Sequence, residues 1–316
     1  MMSPTRSRRT DVRVGADGDP HADTRADTRI DTRADARGLL ARLRHDRRSR
    51  HAAMTLAAMA LLVLVGPLVI AYTPREQLDI TTLVLARPSW QHLLGTDSVS
   101  SDVLSRVLSG GRISLADACC AVVIETVIGM AWGLCAGMAG DRLDALLMRT
   151  VDAALGIPRV LLLLALLAAV PQVPLWLLVL LLGATGWFGT ARLVRAEVRS
   201  VREADFVLAA RALGATPMRL ALRHLLPHVL GPVLVASTLA VGQVVVLEAG
   251  LSWLGIGVQP PQPSWGNIIR DGTEFIATAP WVSLAPGGCL VLVVLAVSAL
   301  GDGLRDALAP RQLPRT

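Results

Sequence analysis

The sequence is organised around apolar runs that are long enough to cross a lipid bilayer. A helix needs about 20 predominantly apolar residues to span the hydrocarbon core, and runs of that length recur through a chain with a mean hydropathy of +0.52. We therefore predict an all-α integral membrane protein with six transmembrane helices, at residues 52–72, 113–139, 147–170, 174–194, 229–254 and 281–304.

The basic residues exclude two kinds of chemistry. Lys and Arg together number 31, and every one of them is arginine. A phosphate-binding P-loop requires a lysine, and a Schiff-base enzyme requires a lysine amine. Neither can be encoded in this sequence, so any nucleotide hydrolysis that drives the protein must come from another chain.

The distribution of arginine predicts the topology. Seven arginines lie at the end of the fourth predicted helix and between it and the fifth, whereas the loop after the fifth contains only Arg270. This bias follows the positive-inside rule and favours a multi-pass protein of the plasma (inner) membrane with both termini in the cytoplasm. Because the arginines lie beside apolar runs, the bilayer explains them better than nucleic acid does.

The same pattern divides the chain into regions. Residues 1–50 are rich in arginine and contain a tetrapeptide repeat between Ala22 and Arg37. They have too few large apolar side chains to form a core, so we expect a disordered cytoplasmic tail. The further predicted regions are a first helix (51–72), an extracytoplasmic loop (73–112), a membrane core (113–304) that contains a polar cytoplasmic segment at 195–228, and a cytoplasmic tail (305–316).

Polar side chains within the predicted spans are candidates for a pathway. Ionisable residues at membrane depth usually face protein or a water-filled cavity, and hydrogen bonding to a neighbouring helix is an equally good explanation. In the third span, Arg149, Asp152 and Arg159 are spaced to share one helix face and to pair. The candidates are Asp117, Glu125, Asp152, Arg159, Gln243 and Glu248, and the four cysteines match no metal-binding pattern, so no metal site is predicted.

The 195–228 segment predicts two short helices separated by a tight turn. Gly214 is placed to end the first helix, Thr216 to cap the second, and Pro217 to occupy its first position. Pro227 then marks the start of the fifth span. Arg219 and Arg223 share a polar face of the second helix. Such an element either lies in the lipid headgroup layer or fits a groove on a partner protein.

This segment resembles the coupling loop of ABC importer permeases. The pattern is Glu-Ala-Ala, three residues, Gly, nine residues, an aliphatic residue, one residue and Leu-Pro. Leu208 stands where that pattern has glutamate, which removes a carboxylate, and His224 stands at the aliphatic position. The candidate coupling residues are Leu208, Ala209, Ala210, Arg211, Gly214, Thr216, Pro217, Arg219, Arg223, His224, Leu226 and Pro227.

Other stretches resemble the dipeptide, oligopeptide and nickel branch of the same family. They are "HLLGTD", "DVLSRVLSGGRISL", "LMRTVDAALGIPRVLLLLAL", "LEAGLSWLGIGVQPPQPSWGNII" and "LGDGLRDALAPR". In the loop after the first span, Ser100, Ser101 and Asp102 stand where the branch usually has Gly-Arg-Asp. The resemblance covers the chain from about residue 55 to its end.

The resemblance implies the type I ABC importer permease fold and a non-catalytic role. Its partners would be a second homologous permease subunit, two ATP-binding subunits or one fused ATPase, and an extracytoplasmic substrate-binding protein. ATP and Mg²⁺ would be bound by the ATPase, so no cofactor is expected in this chain. Di- and oligopeptides are the expected substrates, and nickel or another chelated metal is the alternative.

Two further hypotheses come from other classes of protein. A proton-coupled secondary transporter would use intramembrane carboxylates such as Glu125 and Glu248 as relays, but it would leave the 195–228 segment unexplained. An intramembrane enzyme is disfavoured because the sequence has neither an HExxH nor a GxSxG motif.

A proline-rich stretch follows the fifth span. Between Gly257 and Ala279 the candidates are Pro260, Pro261, Pro263 and Trp265. Prolines fix the backbone, so this loop is expected to be stiff and to face outward. It is predicted to form part of an extracellular gate or to dock the binding protein, although a solvated connection explains the sequence almost as well.

Overall fold

The computed structural model describes residues 46–69, 78 and 82–308, and this part of the chain is helical apart from its loops. The N-terminal repeat, most of the tail that was predicted to be disordered, and residues 309–316 lie outside the described residues. The helices are α1 (Arg47–Val69), α2 (Val103–Met138), α3 (Asp141–Leu155), α4 (Arg159–Ala168), α5 (Leu175–Ala184), α6 (Trp187–Val201), α7 (Asp205–Ala212), α8 (Pro217–Leu220), a π-helical turn (Ala221–Leu225), α9 (Leu226–Trp253), α10 (Trp265–Thr273) and α11 (Trp281–Leu308).

Within the described residues, five helical stretches are long and apolar enough to cross a membrane. A sixth exists if α3 and α4, which meet at a bend of 77°, form one span. Several helices extend beyond the predicted bounds: α1 begins at Arg47, inside the predicted tail, and α2 begins at Val103, inside the predicted loop. The apolar pattern identifies the middle of a membrane helix but not its polar ends, which are fixed by local capping.

The start of α2 shows such a cap. Asp102 has extended backbone angles, and its side chain accepts a hydrogen bond from the backbone N–H of Ser105 at 2.8 Å. This contact satisfies one of the free N–H groups that every helix has at its first turn. The helix therefore begins ten residues before the apolar run that predicted it.

The third predicted span is broken, and the predicted pairing within it is wrong. Pro158 lacks an N–H and interrupts the helix between Leu155 and Arg159. The bend places Arg159 on a different helix axis from Asp152. Asp152 instead pairs with Arg192 of α6, with 2.5 Å between Oδ1 and the guanidinium Nη2.

α2 forms the centre of the bundle and contacts α1, α5, α6, α9 and α10. Its closest neighbour is α6. Three glycines at four-residue spacing, Gly129, Gly133 and Gly137, form one face of α2. An added methyl group on these glycines would come within 2.6 Å of Thr190, Val194 and Val198 respectively. The absence of side chains thus allows the two backbones to approach closely, as small residues do in lipid.

Charged contacts connect α3 to the C-terminal half of α6. Asp144 is 3% exposed and accepts two hydrogen bonds from Arg195, at 2.5 and 2.6 Å. Arg199 approaches the same carboxylate at 2.7 Å. A bidentate contact between arginine and a carboxylate fixes both distance and orientation. α3 is therefore held against α6 although the chain bends sharply after Leu155.

The contact between α2 and α6 should be sensitive to one methyl group. Gly133→Ala would place a Cβ 2.6 Å from both the Ala191 carbonyl oxygen and the Val194 Cβ, and overpacking of this kind costs about 1–3 kcal/mol. We expect a lower thermal unfolding midpoint in detergent. Gly189→Ala is the matched control, because Gly189 lies in α6 and an added Cβ there has no atom within 4 Å in the part of the chain that the structure describes. That variant should be neutral or stabilised, and equal midpoints for the two variants would contradict the prediction.

Candidate functional site

The 195–228 segment contains the predicted helix, turn and helix. α7 ends in a Schellman motif, in which Gly214 N–H donates to Arg211 and Ala215 N–H donates to Ala210, at 3.0 and 3.1 Å. Gly214 has φ of +82°, in the left-handed region. Thr216 caps α8 by accepting a hydrogen bond from the backbone N–H of Arg219. The local structure predicted for Gly214, Thr216 and Pro217 is confirmed.

The α-helix of the fifth span begins at Leu226, within one residue of the predicted start at Pro227, but the second helix of the segment does not stop before it. Helical structure is continuous from Pro217 to Trp253. The π-helical turn Ala221–Leu225 lies immediately before Pro227, and the Leu226 N–H donates to the Ala221 carbonyl. Proline removes one helical hydrogen bond and crowds the preceding turn, and the wider π turn provides room for it.

The segment has one face packed against the bundle. Val207, Leu220 and Leu225 are buried and pack with Val194 and Val198 of α6. The ring of His228 lies over that of Phe206 with 5.1 Å between centroids. Because α7 and α8 are anchored to both α6 and α9, the segment is a rigid projection of the membrane bundle.

Its other face carries exposed apolar side chains and arginines. Leu213 is 89% exposed and Met218 is 67% exposed. Ala210, His224, Leu226 and Pro227 are half-buried, whereas Leu208, Ala209, Arg211, Gly214, Thr216, Pro217, Arg219, Leu222 and Arg223 are exposed. Exposed apolar side chains beside positive charges are typical of a surface that another protein covers.

A cavity of about 470 Å³ lies between this segment and the end of α2. Its walls are mostly apolar, with three charged residues at the edge. The lining residues are Met138, Ala139, Gly140, Arg202, Glu203, Val207, Arg211, Ala215, Pro217, Leu220 and Leu225. The projection is therefore held at its two ends and is not packed solidly along its whole length.

The intramembrane polar candidates fall into separate groups. Glu125 of α2 pairs with Arg159, with 3.5 Å between Oε2 and Nη2. Arg159 also donates to the Leu182 carbonyl at 2.6 Å and to Thr185 at 3.4 Å. This ion pair connects α4 to α2 and to the end of α5. Glu125 thus has a basic partner, which is a sufficient structural reason for a carboxylate at this depth.

Asp117, Glu248 and Gln243 have different surroundings. Asp117 and Glu248 are buried, and Ser252 Oγ donates to Glu248 Oε1 at 2.6 Å. Gln243 lies five residues before Glu248 on α9 but is exposed at the surface of the chain. The structure therefore does not bring the six polar candidates together into one pathway.

The proline-rich stretch is a loop as far as Ser264, as expected, and continues into the short helix α10 (Trp265–Thr273), whose start is buried. Ser264 and Asn267 form a capping box at the start of α10. Trp265 is fully buried and donates to the Val107 carbonyl at 3.0 Å. The prediction that the Trp265 side chain docks a partner is therefore wrong. Pro263 is also buried, whereas Pro260 and Pro261, whose peptide bond is cis, are exposed.

Arg106 was not identified as a candidate by the sequence. Its guanidinium pairs with Asp97, which precedes α2, and with Asp271 of α10 at 2.9 Å. Trp281 Nε1 donates to the Thr96 carbonyl at 3.3 Å, beside this ion pair. These contacts join the loop before α2 to α10 and α11. The "DVLSRVLSGGRISL" stretch contains Arg106, but a single arginine near a span is not a distinctive signal.

Within the described residues, no group of three or more His, Cys, Asp or Glu side chains could hold a metal ion. The chain has several membrane-spanning helices and a rigid, partly apolar projection between two of them. These features define a multi-pass membrane protein with an exposed, arginine-rich segment between two of its helices.

Comparison with known proteins gives the family. Residues 129–313 match the family described as binding-protein-dependent transport system inner membrane component. A Brucella suis biovar 1 (strain 1330) protein that bears the name of a peptide permease is 40% identical over 272 residues, which cover 85% of this chain and 89% of that protein. The oligopeptide transport system permease protein OppC of Bacillus subtilis (strain 168) is 34% identical over 272 residues, with 84% and 89% coverage.

A third relative has a related name. The dipeptide transport system permease protein DppC of Alkalihalophilus pseudofirmus (strain ATCC BAA-2126 / JCM 17055 / OF4) is 40% identical over 228 residues, which cover 72% of this chain and 74% of that protein. The chain belongs to the family of inner membrane components of binding-protein-dependent transport systems. It is a permease subunit of an ABC importer.

The left-handed backbone at Gly214 should limit which residues are tolerated there. An added Cβ at Gly214 meets no atom of the described residues within 4 Å, so the cost of a substitution comes from the backbone. A β-branched residue in this conformation costs about 1–2 kcal/mol, enough to change the population of the turn about tenfold. Gly214→Val should therefore lower uptake and increase hydrogen exchange in residues 205–220.

Gly214→Asn provides the control, because asparagine adopts left-handed backbone angles more readily. It should retain most of the uptake and of the hydrogen-exchange protection. If the valine and asparagine variants lost uptake equally, the conformation of Gly214 would not be the reason for its importance.

Proposed function

We propose that this chain is the membrane subunit of an importer that moves di- or oligopeptides, driven by separate ATP-hydrolysing subunits. The names of the relatives support a peptide substrate. The absence of lysine supports external ATP hydrolysis, because the chain cannot form a P-loop. A second permease subunit and an extracytoplasmic binding protein complete the proposed assembly.

The observation that carries this proposal is the rigid projection formed by α7, α8 and the turn between them. It presents exposed Leu213 and Met218 together with Arg211, Arg219 and Arg223. A groove on the ATPase would cover the apolar tips and pair with the arginines. Because α8 continues into α9, movement of the groove would be transmitted directly into a transmembrane helix.

The proposed topology has six spans and cytoplasmic termini. It counts α3 and α4 as one bent span and places the arginine-rich 195–228 segment inside. The loop before α2 and the α9–α10 connection then face outward. Their connection through Arg106 supports a single outer surface, on which Pro260 and Pro261 are exposed for the binding protein.

The substrate and the assembly can be tested together. The tagged chain would be purified in mild detergent, and the co-purifying ATPase and binding protein identified. Binding of dipeptides, oligopeptides and nickel chelates to that binding protein would then be measured by calorimetry. We expect peptides to bind and ATP to drive their uptake into proteoliposomes. Selective nickel binding would contradict the peptide assignment, and uptake that required only a proton gradient would contradict ATP coupling.

Two leucines of the 195–228 segment allow a matched test of docking. Leu213 is 89% exposed and Leu208 is 44% exposed, so neither substitution by glutamate should unfold the chain. Leu213→Glu would place a charge within the apolar contact, which typically costs about 2 kcal/mol or more at a central position. We expect loss of ATPase co-purification and of uptake.

Leu208→Glu introduces the residue that the coupling-loop pattern has at this position. It should keep or improve the coupling of ATP hydrolysis to uptake. If both glutamate variants retained the ATPase, the exposed tip of the turn would not form the contact. If Leu208→Glu alone lost it, the groove would be built differently from the pattern.

A further inference from the structure

Two carboxyl groups inside the bundle have no basic partner among the residues that the structure describes. Asp117 of α2 is 4% exposed, and Glu248 of α9 is fully buried. Within the described residues, Asp117 Oδ2 and Glu248 Oε2 have no hydrogen-bond partner. The two groups are close enough for the charge of Glu248 to act on Asp117. Two unpaired buried negative charges would cost several kcal/mol each, so one charge must be neutralised.

The hydroxyl groups around the pair favour Glu248 as the ionised member. Ser252 donates to Glu248 Oε1 at 2.6 Å, and Ser114 and Ser264 lie beside the same carboxyl group. Hydrogen bonds from hydroxyls stabilise a carboxylate. Asp117 receives no comparable contact from the residues described, so it is the better candidate to carry a proton.

Other charged groups on the packed helices are engaged elsewhere. On α2, Arg112 donates to the Val63 carbonyl at 2.8 Å, and Glu125 pairs with Arg159. On α10, Arg270 and Asp271 pair with each other at 3.4 Å. The remaining charged or titratable groups on neighbouring elements are Arg47, Arg48, Arg50 and His51 at the start of α1, Arg106, Cys119, Cys120 and Cys135 on α2, Asp141, Arg142, Asp144, Arg149 and Asp152 on α3, Arg192, Arg195, Glu197 and Arg199 on α6, Arg223 and His224 on the π turn, His228 on α9, and Cys289, Asp302, Arg305 and Asp306 on α11.

The oxygen atoms present are better suited to a proton than to a metal ion. The Ser252 hydroxyl already accepts from the Val258 N–H at 2.9 Å. The Ser114 and Ser264 hydroxyls accept from the N–H groups of Trp265 and Asn267, at 3.2 and 3.3 Å. Hard cations such as Ca²⁺ and Mg²⁺ require about six or more oxygen ligands. A proton requires only one free carboxyl oxygen, which Asp117 provides.

We propose that Asp117 and Glu248 form a proton-binding site, in which Asp117 carries one proton while α2 and α9 are packed as in this structure. The proton removes the repulsion between the two carboxyl groups. Its loss would put two like charges into the contact between α2 and α9 and favour their separation. The pair is therefore a pH-sensitive latch between two transmembrane helices, independent of which substrate the importer carries.

Infrared difference spectroscopy tests the proton directly. The full-length chain, with its partner subunits in lipid nanodiscs, would be recorded across the range from mildly acidic to alkaline pH. We expect the carbonyl stretch of a protonated carboxylic acid at neutral pH, lost on alkalinisation and absent in Asp117→Asn. Asp152→Asn is the control, because Asp152 is exposed and paired with Arg192, and it should keep the band.

Stability gives an independent measurement. If the folded chain holds a proton that the unfolded chain releases, unfolding becomes easier as pH rises. The unfolding midpoint of the wild type should fall with rising pH, and Asp117→Asn should lose most of this dependence. If that variant fails to fold, the wild-type band alone decides. No band at neutral pH, or stabilisation by Na⁺, Mg²⁺ or Ca²⁺ that Glu248→Gln abolishes, would overturn the proposal.

Discussion

The close contact between α2 and α6 is the constraint on which the rest of the bundle depends. In lipid the hydrophobic effect does not drive helices together, so packing must come from surfaces that fit. The glycines of α2 and the side chains Thr190, Val194 and Val198 of α6 provide such a fit. Because α6 leads directly into α7, this contact also determines where the 195–228 segment leaves the bundle.

Polar contacts then fix the elements that apolar packing would leave free. The bend between α3 and α4 is held from both sides, by Asp144 with Arg195 and by Glu125 with Arg159. On the opposite side of the bundle, Arg106 joins a loop to α10. Each of these arginines connects parts of the chain that are distant in sequence. The charges in and near the spans therefore have architectural roles as well as topological ones.

Local signals in the sequence were sufficient for five of the six predicted spans and for the turn at Gly214. The apolar runs predicted the spans because a helix that crosses lipid needs about 20 mostly apolar residues. Gly214, Thr216 and Pro217 predicted the turn because each has a local backbone preference. The partner of Arg159 could not be predicted, because the bend at Pro158 changed which helix it faces. The burial of Trp265 was also missed, since it depends on packing against the distant Gly111 of α2.

The continuous helix from Pro217 to Trp253 connects the exposed 195–228 segment directly to the other end of the bundle. Its 37 residues correspond to roughly 55 Å at a rise of 1.5 Å per residue. A small rotation imposed at its exposed tip would sweep Glu248 and Ser252 through an arc at the other end, without any relay of side chains between them. The π turn Ala221–Leu225 and Pro232 inside the helix interrupt its regular hydrogen bonding, so the stiffness at these two places limits how much of an applied torque reaches the far side of the membrane.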